Sequence, residues 1–293
     1  MSRKVSKKAK IWLIGAAACV AACLLALVIC LNYHNIFAWT QDVGLFLRRV
    51  EVNRERAMQT AQYTLDELYG DGRVTFDQSL MLVNTEYMLD QGFEPQLSEY
   101  KSTTVYMNDC MLDAYARLSA SVTEKTGKKL YVSSDFRTAD EQKALYDADP
   151  LTATLPGASE HQTGLALDVY VAYYAGDAFI KSPAGRFVNS NSWKYGFIIR
   201  YPSYAEDVTG IRYEPWHVRY VGHPHAKIIY NNHTTLEEYI ASFEVGEWYE
   251  AEGYLISRQA LTDGGTLCLP RDFESCVISP DNTGHYIVTV KCN

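Results

Sequence analysis

The seven cysteines of this 293-residue chain include no C-x-x-C pair, which argues against a thiolate zinc knuckle. Positive charge is also in short supply. Lys and Arg total 27 against 35 Asp and Glu, a net of −8, so nucleic-acid binding is disfavoured. No repeat of about 30 residues alternates strand and helix, as a doubly wound parallel sheet would require. The composition is neither Gly/Pro-dominated nor apolar-poor. With 47% apolar residues, 13% aromatics and 22 tyrosines, collagen-like, mucin-like and wholly disordered chains are excluded, and there is ample material for a packed core.

Charge is absent altogether from Ile11 to Leu31, a run of 21 residues preceded by five cations, Arg3, Lys4, Lys7, Lys8 and Lys10. Such a run spans a bilayer as one helix, and a basic head stays in the cytoplasm. The expectation is a cytoplasmic tail (1–10), a single-pass anchor (11–31) and an extracytoplasmic remainder. That exported part carries 22 cations against 35 anions. Val20-Ala21-Ala22-Cys23 resembles a lipoprotein cleavage box, but the apolar run continues to Leu31, which favours an uncleaved anchor. Of the cysteines, Cys110 is expected to pack as a small apolar residue, and Cys268, Cys276 and Cys292 lie where a disulfide is permitted. Nothing in the sequence sets an oligomeric state.

Between Thr40 and Tyr69, apolar residues recur at three- and four-residue steps, predicting a helix of about 30 residues, roughly 45 Å long, within a 32–72 stalk or linker; that length suits a stalk or weak pairing with a second copy, and the plainest use is packing on the domain. Gly70-Asp71-Gly72 marks a boundary. The main domain, 73–245, reads as short strands (80–83, 103–107, 129–133) and helices (108–126, then one opened by the Thr138 to Glu141 capping box and closed before Pro150) in irregular order. This is an α+β layout with an antiparallel sheet. Residues 246–293, with alternating runs at 265–269 and 286–290, read as a small β-rich appendage.

Chemistry concentrates in two blocks. In Ser159-Glu160-His161-Gln162-Thr163-Gly164-Leu165-Ala166-Leu167-Asp168, Gly164 suits a turn. Leu165 to Tyr170 reads as a strand placing Leu165, Leu167 and Val169 on one face, Ala166 and Asp168 on the other. His161 can fold back toward Asp168. In Tyr213-Glu214-Pro215-Trp216-His217-Val218-Arg219-Tyr220, Pro215 keeps Glu214 out of a helix, so this is no helical H-E-x-x-H motif. A bend there must bring Glu214 and His217 to one side. Two imidazoles and a carboxylate suit Zn²⁺ with a fourth position open, the mark of a catalytic site. Taken singly, each residue has a duller use: Asp168 as a turn cap, Glu214 paired with Arg212 or Arg219, the histidines as core or surface residues.

Together with WKYGFIIRYP at 193–202 and SSDFRTADEQ at 133–142, these blocks make residues 80–240 resemble the VanY-type D-alanyl-D-alanine carboxypeptidases, zinc peptidases that trim peptidoglycan stems. The resemblance implies a Hedgehog/D,D-peptidase-like domain holding one Zn²⁺ through His161, Asp168 and His217, with Glu214 as general base. Chemistry supports that division of labour, since zinc lowers the pKa of a water and a carboxylate outside the ligand set can take its proton. Glu160 is the rival base, disfavoured because the neighbour of a ligand in an extended turn tends to point away. Arg137, Gln142 and Ser159 match the family's substrate-side positions and suit a free C-terminal carboxylate. For Arg137, the alternative is a pair with Asp135 or Asp140. Asp135-Phe136 departs from the family's Gly-Tyr. His223 and His225, flanking Pro224, read as loop residues rather than a second metal pair. The implied activity is a membrane-anchored D,D-carboxypeptidase acting on peptidoglycan stem peptides that end in D-Ala. The alternatives are an L,D-carboxypeptidase on tetrapeptide stems and a non-catalytic, zinc-containing wall-binding module.

Overall fold

The computed structural model describes residues 18–29, 49–55 and 59–292. Residues 18–29 are helical and exposed and belong to a first compact unit, Met1–Gly44, separate from the second, Leu45–Asn293. Among the described residues no helix is long and apolar enough to cross a membrane. The basic tail and the rest of the expected 11–31 anchor lie outside them.

The expected stalk helix is not what the second unit contains. Its described part forms strands β1 (Asn53–Glu55) and β2 (Thr60–Thr64), then a short helix α1 (Leu65–Gly70) and strand β3 (Val74–Phe76). The three- and four-residue recurrence misleads here because β2 alternates Thr, Gln and Thr with Ala61 and Tyr63, and pairs antiparallel with a strand 200 residues away. Helix starts only at Leu65, where Thr64 and Glu67 close a capping box.

Next come a hairpin-like pair β4 (Leu97–Glu99) and β5 (Tyr106–Asn108), helix α2 (Leu112–Thr126), strand β6 (Tyr131–Ser134) and helix α3 (Ala139–Ala148). Leu118 and Val122 of α2 are fully buried, and Gly127 ends the helix at φ +67°, a backbone angle that favours glycine. Thr138 and Glu141 form the expected capping box at α3. Strand β7 (Ala166–Tyr170), helix α4 (Pro183–Asn191), strand β8 (Phe197–Ile199), the single turn α5 (Glu206–Thr209) and strand β9 (His217–Tyr220) complete the domain core. The sheet runs β6-β7-β9-β8 and is antiparallel throughout, as an α+β reading requires. Leu167 and Val169 of β7 and Val218 of β9 pack with Leu118, Val122, Val188 and Phe197, each such side chain worth about 1.5–3 kcal/mol when withdrawn from water. The expected strand at 80–83 is instead a buried connecting segment without strand pairing.

Helices α6 (His225–Asn232) and α7 (Leu236–Ala241) lead into β10 (Trp248–Ala251), β11 (Tyr254–Gln259), β12 (Thr266–Pro270), β13 (Ser275–Pro280) and β14 (Tyr286–Lys291). These are not a free-standing appendage confined to 246–293. The larger sheet runs β1-β10-β11-β14-β13-β3, and β12 pairs with β2 in a separate two-stranded sheet, so the segment before residue 77 supplies two strands of the larger sheet and the partner of β12. This sheet shares a core with α6 and α7 through Ile228, Ile229, Tyr239, Ile256 and Ile287. His225 is buried at the seam, its Nδ1 2.7 Å from the Tyr239 hydroxyl and its Nε2 3.0 Å from Thr289 Oγ1. Cys110, Cys268, Cys276 and Cys292 are all free, so the permitted disulfide among the last three is not formed.

Candidate metal and active site

The site is built where β7 and β9 run side by side. Register pairs Asp168 with His217, and Asp168 Oδ1 sits 3.0 Å from His217 Nδ1. His161 comes from a 3₁₀ turn, Glu160–Thr163, that is stopped by Gly164 at φ +68°. A Cβ on Gly164 would meet the Asn108 amide nitrogen at 2.9 Å, so the turn closes tightly onto β5. That closure folds His161 back until its Nε2 is 3.6 Å from Asp168 Oδ1. The opposite nitrogen, Nδ1, lies 2.9 Å from the Asp135 carbonyl oxygen, which orients the ring and leaves Nε2 for a ligand.

One atom from each of His161, Asp168 and His217 therefore falls within 4.8 Å of the others. Both imidazoles are buried while Asp168 stays partly open. Burial alone would raise the Asp168 pKa, but its contacts with the two histidines hold it well below the usual carboxylate range. Two borderline nitrogen donors and one hard oxygen, clustered and open on one side, fit Zn²⁺.

Glu214 and His217 are joined by a tight turn through Pro215 and Trp216, with the His217 N–H donating to the Glu214 carbonyl at 3.1 Å. The Trp216 carbonyl accepts from Val169, tying the turn to β7. This is the bend expected at Pro215, and it leaves Glu214 Oε2 4.0 Å from His217 Nδ1, beside the cluster. Burial raises the Glu214 pKa, with Asp168 adding to the rise and His217 opposing it. A carboxylate so placed is a better proton acceptor than a free one. Glu214 forms no ion pair with Arg212 or Arg219; the former pairs with Asp177 and the latter with Glu160.

Glu160 is fully buried, and its Oε1 accepts from Arg200 Nε at 2.7 Å and from Arg219 Nη1 at 2.6 Å. Burial would raise its pKa, yet the two guanidiniums outweigh burial and keep it ionised. Enclosed in this way it cannot serve as the rival base. Arg200, Arg219 and Tyr201, whose ring centroid is 4.9 Å from that of His217, were not singled out as site residues from sequence. Arg219 lies inside the 213–220 block and Arg200 and Tyr201 inside the 193–202 stretch, and that placement is the only signal the sequence carries for them.

Arg137 lies in the loop between β6 and α3. Its backbone N–H donates to the His161 carbonyl at 3.1 Å, and its guanidinium donates to Gln142 Oε1 and Ser134 Oγ, both at 2.7 Å. Among the described residues it makes no ion pair with Asp135 or Asp140. Gln142 differs from expectation: it is buried, and its Nε2 donates to the Thr154 carbonyl at 2.7 Å, so both ends of its amide are engaged. It holds Arg137 rather than offering groups to a ligand. Ser159 is buried at the head of the His161 turn. A cleft of about 410 Å³ opens beside Arg137, lined by Phe136, Gln162 and the 88–93 segment, and one of about 280 Å³ lies beside Tyr201.

An antiparallel α+β core carrying a His-Asp-His cluster with a flanking carboxylate defines a metallopeptidase type of site. Residues 104–223 match the family described as VanY, D-alanyl-D-alanine carboxypeptidase. Over 252 residues, covering 79% of this chain and 80% of the other, the sequence is 30% identical to a D-alanyl-D-alanine carboxypeptidase of Enterococcus faecium. A crystal structure of the vancomycin-resistance D,D-dipeptidase VanXYg with a D-Ala-D-Ala phosphinate analogue is similar over 80% of this chain and 99% of that one, with 27% identity and a TM-score of 0.61. The LdcB LD-carboxypeptidase is similar over 56% of this chain and 86% of its own, with 36% identity and a TM-score of 0.52. The chain belongs to the VanY family of D-alanyl-D-alanine carboxypeptidases.

Proposed function

We propose that this protein is a zinc D,D-carboxypeptidase that removes the terminal D-alanine from peptidoglycan stem peptides. The observation that carries the proposal is the convergence of His161, Asp168 and His217 within 4.8 Å, with Glu214 4.0 Å from the His217 nitrogen that faces Asp168. Zinc bound by the three side chains would supply Lewis acidity for the scissile carbonyl and lower the pKa of a water toward neutrality. Glu214, outside the ligand set, accepts the proton of the attacking water and returns it to the departing amine. Arg137, fixed by Ser134 and Gln142, presents its remaining N–H donors to the free C-terminal carboxylate, with Ser159 close to the ligand turn. The non-catalytic binding module is the weaker reading, because a pure binder has no need of a burial-tuned carboxylate beside an open ligand set.

The 11–31 run is proposed to anchor the enzyme with its N-terminus in the cytoplasm and its catalytic domain outside. The likeness to LdcB supports an L,D-carboxypeptidase on tetrapeptide stems as the second reading. Incubating the zinc-loaded protein with pentapeptide stems ending in D-Ala-D-Ala and with tetrapeptide stems, and weighing the products, separates the two. Loss of one alanine from the pentapeptide alone supports the D,D reading. Loss from the tetrapeptide alone supports the L,D reading, and no cleavage of either removes both.

A further inference from the structure

We propose that Glu160 is the positioning residue of the metal site: its buried carboxylate fixes the ring orientation and tautomer of His217, so that Nδ1 of that ring is the atom presented to the ion. The inference rests on reading His161, Asp168 and His217 as the cradle. Only Oε1 of Glu160 is used by the arginines. Its Oε2 is buried and makes no hydrogen bond, and the same is true of His217 Nε2. These two atoms lie 3.5 Å apart. Buried polar atoms without partners are rare and costly, and here one is an acceptor while the other becomes a donor as soon as it carries the ring proton. A shift of a few tenths of an ångström, within ordinary side-chain motion, would satisfy both. With the proton on Nε2, the lone pair is left on Nδ1, the nitrogen that already faces Asp168.

The carboxylate is held against that task from behind. Arg200 also binds Glu237 through both terminal nitrogens, at 2.9 and 2.6 Å. Arg219 Nη2 donates to the carbonyls of Ser79 and Met81 at 2.9 and 2.8 Å. The intervening Leu80 N–H donates to Ser279 Oγ, and the Leu82 N–H to the Asp281 carbonyl. A chain of hydrogen bonds thus runs from β13 and the turn after it through the 79–82 segment and Arg219 to Glu160, and on to a metal-ligating ring. It gives the C-terminal sheet a part in the geometry of the catalytic domain.

Glu160→Gln tests this without changing side-chain volume. Its carbonyl oxygen can still accept from the arginines, but its NH₂ then faces His217 Nε2. That contact favours a lone pair on Nε2 and a proton on Nδ1, the wrong tautomer for the cradle. In the full-length protein, zinc affinity measured by chelator competition should fall about 10- to 100-fold. Glu160→Asp, which keeps the charge, should recover part of the loss. Nitrogen NMR of histidine-labelled, zinc-loaded wild type should show His217 protonated at Nε2 and metal-shifted at Nδ1, with His217→Asn providing the assignment. Wild-type zinc affinity in Glu160→Gln would overturn the proposal. Zinc on Nε2 of His217 in the wild type overturns it too, and that measurement stands even where the variant does not fold. A wild type that binds no zinc at all would instead sink the cradle reading.

Discussion

Asp168 and His217 occupy directly opposed positions on two antiparallel strands, with Oδ1 of one 3.0 Å from Nδ1 of the other. The contact is set by strand register, so it depends on the whole β7–β9 ladder rather than on two flexible side chains. Opposed residues stand closer than any other cross-strand pair, and a slip of either strand by one residue would send its side chain to the other face of the sheet and part the two.

Removal of a cradle residue should therefore cost metal without dismantling the sheet. His217→Ala and Asp168→Ala are expected to lose stoichiometric zinc by elemental analysis. His161→Ala should behave likewise, since that ring reaches the same carboxylate oxygen from the 3₁₀ turn. Retention of one zinc per chain in His217→Ala would falsify the assignment.

Glu214 is expected to act on protons and not on the metal. Glu214→Ala should retain zinc and the wild-type circular dichroism while turnover on stem peptides drops by about 10²- to 10⁴-fold, as for a lost general base. Glu214→Gln keeps the shape and should be equally slow. Unimpaired hydrolysis by either variant would take the proton-transfer role away from this residue, and the enclosure of Glu160 by Arg200 and Arg219 leaves that neighbour unable to inherit it.

The clustering of His161, Asp168 and His217 was legible in the sequence because its parts are local: a histidine before a glycine turn, an aspartate on the strand that follows, and a proline-bent Glu-His pair 46 residues further on. The capping box at Thr138 was legible for the same reason. What was not legible depends on long-range pairing. β2 looks helical until Tyr63 is seen opposite Leu267. Gln142 looks like a ligand-facing amide until Thr154 is seen to occupy its other end. Arg200 and Arg219 read as ordinary cations until burial forces them onto Glu160. A pairing partner 12 to 204 residues away leaves no trace in a local period.

His225 gives the protein an acid-labile seam between α6 and β14. Burial pushes its pKa down to about 3, with His223 adding to the shift. An unfolded-state histidine titrates near 6.5, so below that pH the unfolded chain binds a proton that the folded one refuses. The stability contributed by neutral His225 is thus complete above about pH 6.5 and declines as pH falls toward 3, by at most roughly 1.4 kcal/mol per pH unit. Denaturant unfolding at pH 7 and pH 5 should show a smaller pH-linked loss in His225→Gln, whose amide can keep both hydrogen bonds without titrating. Equal losses in the two proteins would place the acid sensitivity elsewhere, with His223, whose pKa burial also lowers, the next group to test.

The carboxylate recognition proposed for Arg137 makes the sharpest distinction between an exopeptidase and an endopeptidase on cross-linked wall. The guanidinium is half-buried and already oriented by one hydrogen bond to Gln142 and one to Ser134, and its backbone is tied to the carbonyl of His161. Burial lowers its pKa, with Asp168 and Glu141 opposing, but an arginine remains charged throughout the working pH range. A charge-assisted hydrogen bond is worth about 1.5–3 kcal/mol, so Arg137→Ala should lower kcat/KM on free-acid peptides by at least about tenfold at 1.4 kcal/mol per decade. Arg137→Lys should recover only part of this, because an ammonium lacks the planar fork. Gln142→Ala should produce a smaller loss in the same direction, since Gln142 acts by holding Arg137. The control is a substrate whose terminal carboxylate has been converted to an amide. Wild type should cut it poorly, and Arg137→Ala should no longer discriminate between amide and acid. If the wild type cleaves the amide as fast as the acid, the grip lies elsewhere and cleavage within cross-linked peptides becomes the better description of the activity.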